Sequence, residues 1–208
     1  MVEELKVSEF LSTLSSKQPV PGGGGASAAV GAFASALGMM VTNLTIGKKK
    51  YIDVEAEMED IRSRLEALQQ ELVGLTDRDA EAFEPLSRAY GLPKETEEQR
   101  IEKERVMEKA LYEASVVPLQ IMKTVFRVME DLEVLGEKGS RLAVSDVGVA
   151  VLFARAALEG ASLNIYINTR LMKNREQAER LNKESDELIA EAGRLQEKIY
   201  TGVLAKIR

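Results

Sequence analysis

Apolar positions recur at helical spacing along nearly the whole chain, and no stretch carries the two-residue alternation of a strand. A first short segment, about Lys6 to Ser15, puts Val7, Phe10, Leu11 and Leu14 on one face, with Ser8 as a candidate N-cap. The run "SSKQPVPGGGG" reads as a loop. From about Ala26 to Ile46 there is no charged residue, and Ala, Gly and Ser dominate. Ser27, Gly31 and Ser35 recur at every fourth position, as do Ala34 and Gly38, which lets a neighbouring backbone come close. Such a segment predicts a central helix buried on all sides.

The next seam is Val54, Met58, Ile61, Leu65, Leu68, Leu72 and Leu75, with steps of four and three as in a helical bundle. Thr76 ahead of "DRDAEAF" predicts the start of a new helix, with Pro85 kinking or interrupting it. "YGLPKETEEQ" (Tyr90 to Gln99) reads as a loop. A long helix follows, about Glu97 to Leu135, bent at Pro118 and closed by Gly136 as a C-cap. Ser145 to Met172 is a second mostly apolar helix, capped by Ser145 or Asp146, and a charged helix from about Glu176 to Lys206 ends the pattern. The expected architecture is all-α: a single domain of residues 1–208, six to eight helices, with two apolar helices at the centre. Its small-residue stripes are candidate contact surfaces for a dimer.

Composition narrows the chemistry more than the fold. Net charge is -6, which argues against a nucleic-acid partner or an anionic-membrane partner. The uncharged run is long enough to span a bilayer, but it lacks the Leu and Ile content and the aromatic belt of a membrane helix. With no signal peptide pattern, a cytoplasmic location is expected. The chain has no His and no Cys, which removes imidazole bases, thiol nucleophiles and ordinary zinc or copper sites. No metal is expected, and acid–base work falls to Asp, Glu, Lys, Tyr or water.

Four groups are candidates for function. A glycine-rich entry to a helix, Gly22 to Gly25, either exposes N–H groups to an anion or makes a tight turn. Lys48, Lys49 and Lys50 either cap the apolar helix at its negative end or anchor an anion, and Tyr51 beside them could stack or donate a hydrogen bond. Asp77 and Asp79 point about 200° apart on a helix, so only one of them faces a given pocket. Asp77, Glu81 and Glu84 share the other face. Asp146, Asn164 and Asn168 lie on one stripe, yet Asp146 and Asn164 are separated by about 27 Å of helix, so they do not serve one small site. Arg155 and Glu159 are spaced as an ion pair.

The segments "PGGGGASAAVGAFASALGMM", "GKKKY", "TDRDAEAF", "GLPKETEE", "VPL" and "SDVGVA" resemble, in this order, the formiminotransferase-cyclodeaminase family. The resemblance covers nearly the whole chain. It implies an all-α, dimeric enzyme of folate one-carbon metabolism. Such an enzyme is either a methenyltetrahydrofolate cyclohydrolase, giving 10-formyl-tetrahydrofolate, or a formimidoyltetrahydrofolate cyclodeaminase, releasing ammonia. No cofactor is implied beyond the tetrahydrofolate substrate itself.

The resemblance also suggests roles for particular residues. Pro21, Gly22, Gly23, Gly24 and Ser27 would contact folate. Lys49, with Lys48 and Tyr51, would support the anionic tail or the reacting centre. Asp77 or Asp79 would be the base or cation stabiliser, and Asp146 would bind a pterin edge or support the loop. The family motif reads Pro-Gly-Gly-Gly-Ser, and Gly25 stands here in place of the serine. The alternatives are a folate-binding protein without catalysis and a structural helical dimer.

Overall fold

The computed structural model describes residues 6–208. Among these residues there are six α-helices and no strand: α1 (Val7–Leu14), α2 (Gly23–Asn43), α3 (Glu55–Tyr90), α4 (Glu97–Lys138), α5 (Val144–Thr169) and α6 (Arg175–Ile207). Short 3-10 turns, Lys49–Val54 and Arg141–Ala143, precede α3 and α5. The all-α bundle is as the sequence pattern implies, but its apolar helix α2 is not buried on all sides: Phe33 and Met40 are exposed, and α5 beside it likewise exposes Phe153 and Leu163, so one face of the pair meets no other described element of the chain. α2 packs against α3, α4 and α5, and α5 packs against α2, α4 and α6.

The small residues of α2 are the reason it can sit at the centre. A Cβ added at Gly31 would lie 2.7 Å from Val125 Cγ2 and 3.3 Å from Leu72 Cδ1. One at Gly38 would lie 2.8 Å from Leu65 Cδ1 and 3.2 Å from Leu132 Cδ2. The leucines of α3 and α4 therefore fill the space that glycine vacates. Met58, Ile61, Leu65, Leu72 and Leu132 are fully buried there. Each such side chain contributes roughly 1.5–3 kcal/mol by leaving water. Although α2 has the length and apolarity of a membrane span, these contacts make it a core helix. The buried Asp131 of α4 accepts two hydrogen bonds from Arg64 of α3, at 2.5 and 3.0 Å, tying those helices together.

Several boundaries depart from the pattern, each for a local reason. α1 is capped at Lys6 rather than Ser8, because Glu9 Oε2 reaches back to the Lys6 N–H at 2.9 Å. α2 begins at Gly23 rather than Ala26, so three of the four glycines form its first turn instead of a loop. No helix starts at Thr76: its side chain is buried and donates to the Leu72 carbonyl one turn back, so α3 runs unbroken for 36 residues. Pro85 lies inside that helix on its exposed side. Gly136 is interior to α4, which ends at Lys138 with Gly139 as its cap. α5 starts at Val144 with Ala143 at the cap, leaving Ser145 and Asp146 in its first turn.

Candidate active site at the start of helix α2

The first turn of α2 carries no side-chain cap of its own, since Gly22 occupies the N-cap position. A helix start of this kind leaves backbone N–H groups without partners and favours negative charge nearby. Asp79, from the middle of α3, supplies both needs. Its carboxylate accepts from the Gly25 N–H. It lies so close to α2 that a Cβ at Gly24 would fall 2.5 Å from Asp79 Cγ and Oδ2, and closer still to Oδ1. Glycine at position 24 is thus the space in which the carboxylate sits. Burial pushes the Asp79 carboxyl above the ordinary carboxylate value, against the lowering effect of the Gly25 N–H.

A cavity of about 160 Å³ opens beside this contact. Pro19, Val20, Gly22, Gly23, Phe83, Ile167 and Asp79 line it, with Ala114, Asn164 and Asn168 closing the α4 and α5 sides. Among the described residues, Asp79 is the only ionisable side chain on that lining. Asn164 Nδ2 donates to the Gly160 carbonyl at 3.1 Å, and its Oδ1 lies 3.4 Å from where a Gly23 Cβ would stand. Pro118 has no N–H for the carbonyl of Ala114 four residues earlier. Asn168 Nδ2 donates to that carbonyl instead, at 3.1 Å. The proline of α4 and the asparagine of α5 together fix one wall of the cavity.

Of the residues that the sequence singled out, Gly22, Gly23 and Asp79 meet at this cavity, with Gly24 directly beneath Asp79. Asp77 lies on another side of α3, away from the lining. Ser27 does not face the cavity: its hydroxyl donates to the Gly23 carbonyl at 2.7 Å and packs on Gly160. Pro21 packs against the Gly25 position, 3.3 Å from a Cβ placed there.

Lys48, Lys49, Tyr51 and Asp146 gather at the other end of the molecule. The 21 residues of α2 separate Lys49 from the glycine turn by roughly 30 Å. α5 runs antiparallel to α2, with Gly160 over Ser27 and Asn164 over Gly23, so Asp146 lies at that far end as well. There the Tyr51 hydroxyl accepts from the Arg141 N–H at 3.1 Å, which lowers its pKa, and Lys50 Nζ stands 5.5 Å from the ring centroid. One chain therefore does not unite the lysine cluster with Asp79. Phe83, Val20 and Ile167 carry no signal in the sequence beyond their apolar character. Asn164 and Asn168 do: amides on an apolar helix need partners.

A family model for formiminotransferase-cyclodeaminase matches residues 6–187 of the chain. The chain belongs to that family. It is 44% identical over 201 residues to a methenyltetrahydrofolate cyclohydrolase from Methylorubrum extorquens, covering 97% of each chain. It is 30% identical to the formimidoyltransferase-cyclodeaminase of Mus musculus over 183 residues, and spans about a third of that longer protein, 34%. The crystal structure of formiminotetrahydrofolate cyclodeaminase from Thermotoga maritima superposes with a TM-score of 0.82 at 32% identity, covering 99% of this chain and 97% of that one.

Proposed function

We propose that this protein is a methenyltetrahydrofolate cyclohydrolase, with Asp79 as the group that handles the reacting one-carbon unit. The observation that carries the reading is that, among the described residues, Asp79 is the only ionisable side chain on the cavity lining, held in place by a backbone N–H and made more basic by burial. Full-length similarity to a cyclohydrolase supports this choice of reaction. The methenyl carbon of the substrate is an amidinium centre bearing positive charge. A carboxylate beside it stabilises that charge and takes a proton from the attacking water. Water adds to the carbon and gives one proton to Asp79; the bond from that carbon to N5 then breaks as N5 takes up the remaining hydroxyl proton and the formyl C=O forms, giving 10-formyl-tetrahydrofolate, and Asp79 releases the first proton to solvent. Phe83 and Ile167 provide apolar walls for a flat pterin, and the amides of Asn164 and Asn168 offer polar edges.

Cyclodeamination of 5-formimino-tetrahydrofolate is the second reading, favoured by the superposition on a cyclodeaminase. It passes through a similar cationic carbon, so Asp79 serves it equally. Parallel assays with 5,10-methenyl- and 5-formimino-tetrahydrofolate decide between them: faster turnover of the methenyl compound is expected, and exclusive turnover of the formimino compound would reverse the assignment. Neither route invokes a cofactor, so activity after exhaustive chelation is expected to be unchanged.

The functional unit in this reading is a homodimer. α2 and α5 pack side by side, and each leaves apolar side chains exposed: Phe33, Met40 and Leu44 on α2, Val149, Leu152, Phe153, Leu163 and Ile167 on α5. Apolar surface of this extent marks an association face. Light scattering is expected to give twice the 22.9 kDa chain mass; a monomer mass would remove this part of the reading.

A further inference from the structure

Helix α1 is held differently from the five longer helices. None of its residues is buried, although Val7, Phe10, Leu11 and Leu14 form one apolar face. That face lies over a groove between α2 and α3, with Ala26, Ala29 and Val30 on one side and Gln69, Val73 and Thr76 on the other. A cavity of about 390 Å³ remains there, and among the described residues no ionisable side chain lines it. Val7 and Leu11 stay more than half exposed, at 57% and 54%. Among the described residues, every hydrogen bond made by residues 6–18 stays within that segment.

An attachment of this kind is apolar and non-directional, so α1 can lift without breaking a polar bond to the bundle. A helix of 8 residues is too short to be stable in water by itself. α1 therefore keeps its helix only while its face is seated, and lifting and unravelling are one event. Segments with few buried apolar contacts open at much lower free energy than a core does.

The chain that follows α1 builds the wall of the Asp79 cavity. The exposed residues 15–18 lead directly to Pro19 and Val20, which line that cavity. Pro21 then packs on the start of α2: a Cβ at Gly25 would stand 3.3 Å from Pro21 Cβ and 3.4 Å from Thr76 Cγ2. Thr76 also lines the groove under α1. Groove and cavity thus flank one contact, and the Gly25 N–H at that contact donates to the Asp79 carboxylate.

We propose that α1 is a strap across the α2–α3 groove: seated, it holds the Pro19–Val20 wall against the Asp79 cavity, and released, it lets that wall swing away. Phe10 and Leu14, the less exposed pair on its apolar face, are positioning residues for the site. The strap is independent of which substrate occupies the cavity, and its first test needs none.

Residue-resolved hydrogen exchange on the wild type and on Phe10→Ala/Leu14→Ala supplies that test. Alanine keeps helix propensity, so the change removes apolar contact alone. Neither side chain is fully buried, so the variant is expected to fold with its urea midpoint little changed. In the wild type, α1 amides are expected to exchange about a hundredfold or more faster than the buried amides of α2. In the variant, α1 protection is lost. The Gly25 and Ala26 amides, bonded to Asp79 and to the Gly22 carbonyl, then exchange about threefold or more faster, while α4 and α6 are unchanged. KM for 5,10-methenyl-tetrahydrofolate is expected to rise about three- to tenfold with kcat within about twofold, the mark of a wall that binds ground and transition states alike.

Wild-type α1 amides as protected as those of α3 would overturn the strap, by making α1 a fixed part of the fold. Unchanged exchange at Gly25 and Ala26 in the variant, or an unchanged KM in an active enzyme, would overturn it too. The expected exchange pattern in a protein that turns over neither folate substrate would uphold the strap and overturn the catalytic reading instead.

Discussion

Gly24→Ala probes the Asp79–Gly24 contact directly. The added Cβ would lie 2.5 Å from Asp79 Cγ, 0.9 Å inside the 3.4 Å at which ordinary contact begins. The carboxylate must leave or the helices must part. Forcing a methyl into a packed site costs roughly 1–3 kcal/mol, and losing a helix N-cap interaction costs about 1 kcal/mol more. Replacing glycine by alanine within a helix returns up to about 1 kcal/mol. The net expectation is a loss of roughly 1–3 kcal/mol, or about 2–10 °C in Tm for a chain of this size. Gly202→Ala is the control, because Gly202 lies in α6 with nothing within 4 Å of its added Cβ. That variant is expected to gain roughly 0.4–1 kcal/mol. Thermal unfolding followed by circular dichroism reads both. In an Asp79→Ala background the Gly24→Ala cost is expected to vanish, a coupling of about 1 kcal/mol or more. The reasoning is refuted if Gly24→Ala stabilises as Gly202→Ala does, or costs the same in both backgrounds.

Three further outcomes follow from particular contacts. Asp131→Ala removes two hydrogen bonds from Arg64 to a buried carboxylate and is expected to cost about 1–3 kcal/mol in urea unfolding, with folate binding unchanged. Gly25→Ser, which restores the serine usual in the family, directs the new side chain toward Pro21 and Thr76 rather than the cavity. Turnover within about threefold of wild type is expected, since a group that misses the reacting atoms leaves the roughly hundredfold contribution of a general base intact; complete loss of turnover would show that position 25 reaches the substrate. Burial holds the folded pKa of Asp79 above its ordinary value of 3.8. The stability linked to its protonated form is therefore fully present below about that value and is lost as pH rises through the raised one. Asp79→Asn should flatten the stability–pH curve across that window, and an unchanged curve would contradict the environment assigned to Asp79.

Much of the fold is legible in the chain. The leucine seam of α3 and the small-residue stripes of α2 each state a packing partner, and both appear where the spacing puts them. Thr76 misleads because a threonine that bonds back to Leu72 looks the same in sequence as one that caps a helix. The glycine run misleads for a related reason. Glycine reads locally as loop, whereas Gly24 is dictated by Asp79, 55 positions away, whose carboxylate needs the missing Cβ. The choice between Asp77 and Asp79 is invisible without knowing which side of α3 meets α2. Nor does any local pattern reveal that Lys49 and Asp79 stand at opposite ends of one helix. That separation follows only once α2 is seen to span the bundle.

The central claim is that Asp79 performs the chemistry. Steady-state hydrolysis of 5,10-methenyl-tetrahydrofolate by Asp79→Asn, in protein whose helical spectrum and folate affinity match wild type, tests it most directly. Asparagine keeps an oxygen for the Gly25 N–H but can neither take a proton nor carry charge. The account predicts a fall in kcat of about 10²-fold or more. A rate within a few-fold of wild type would contradict it.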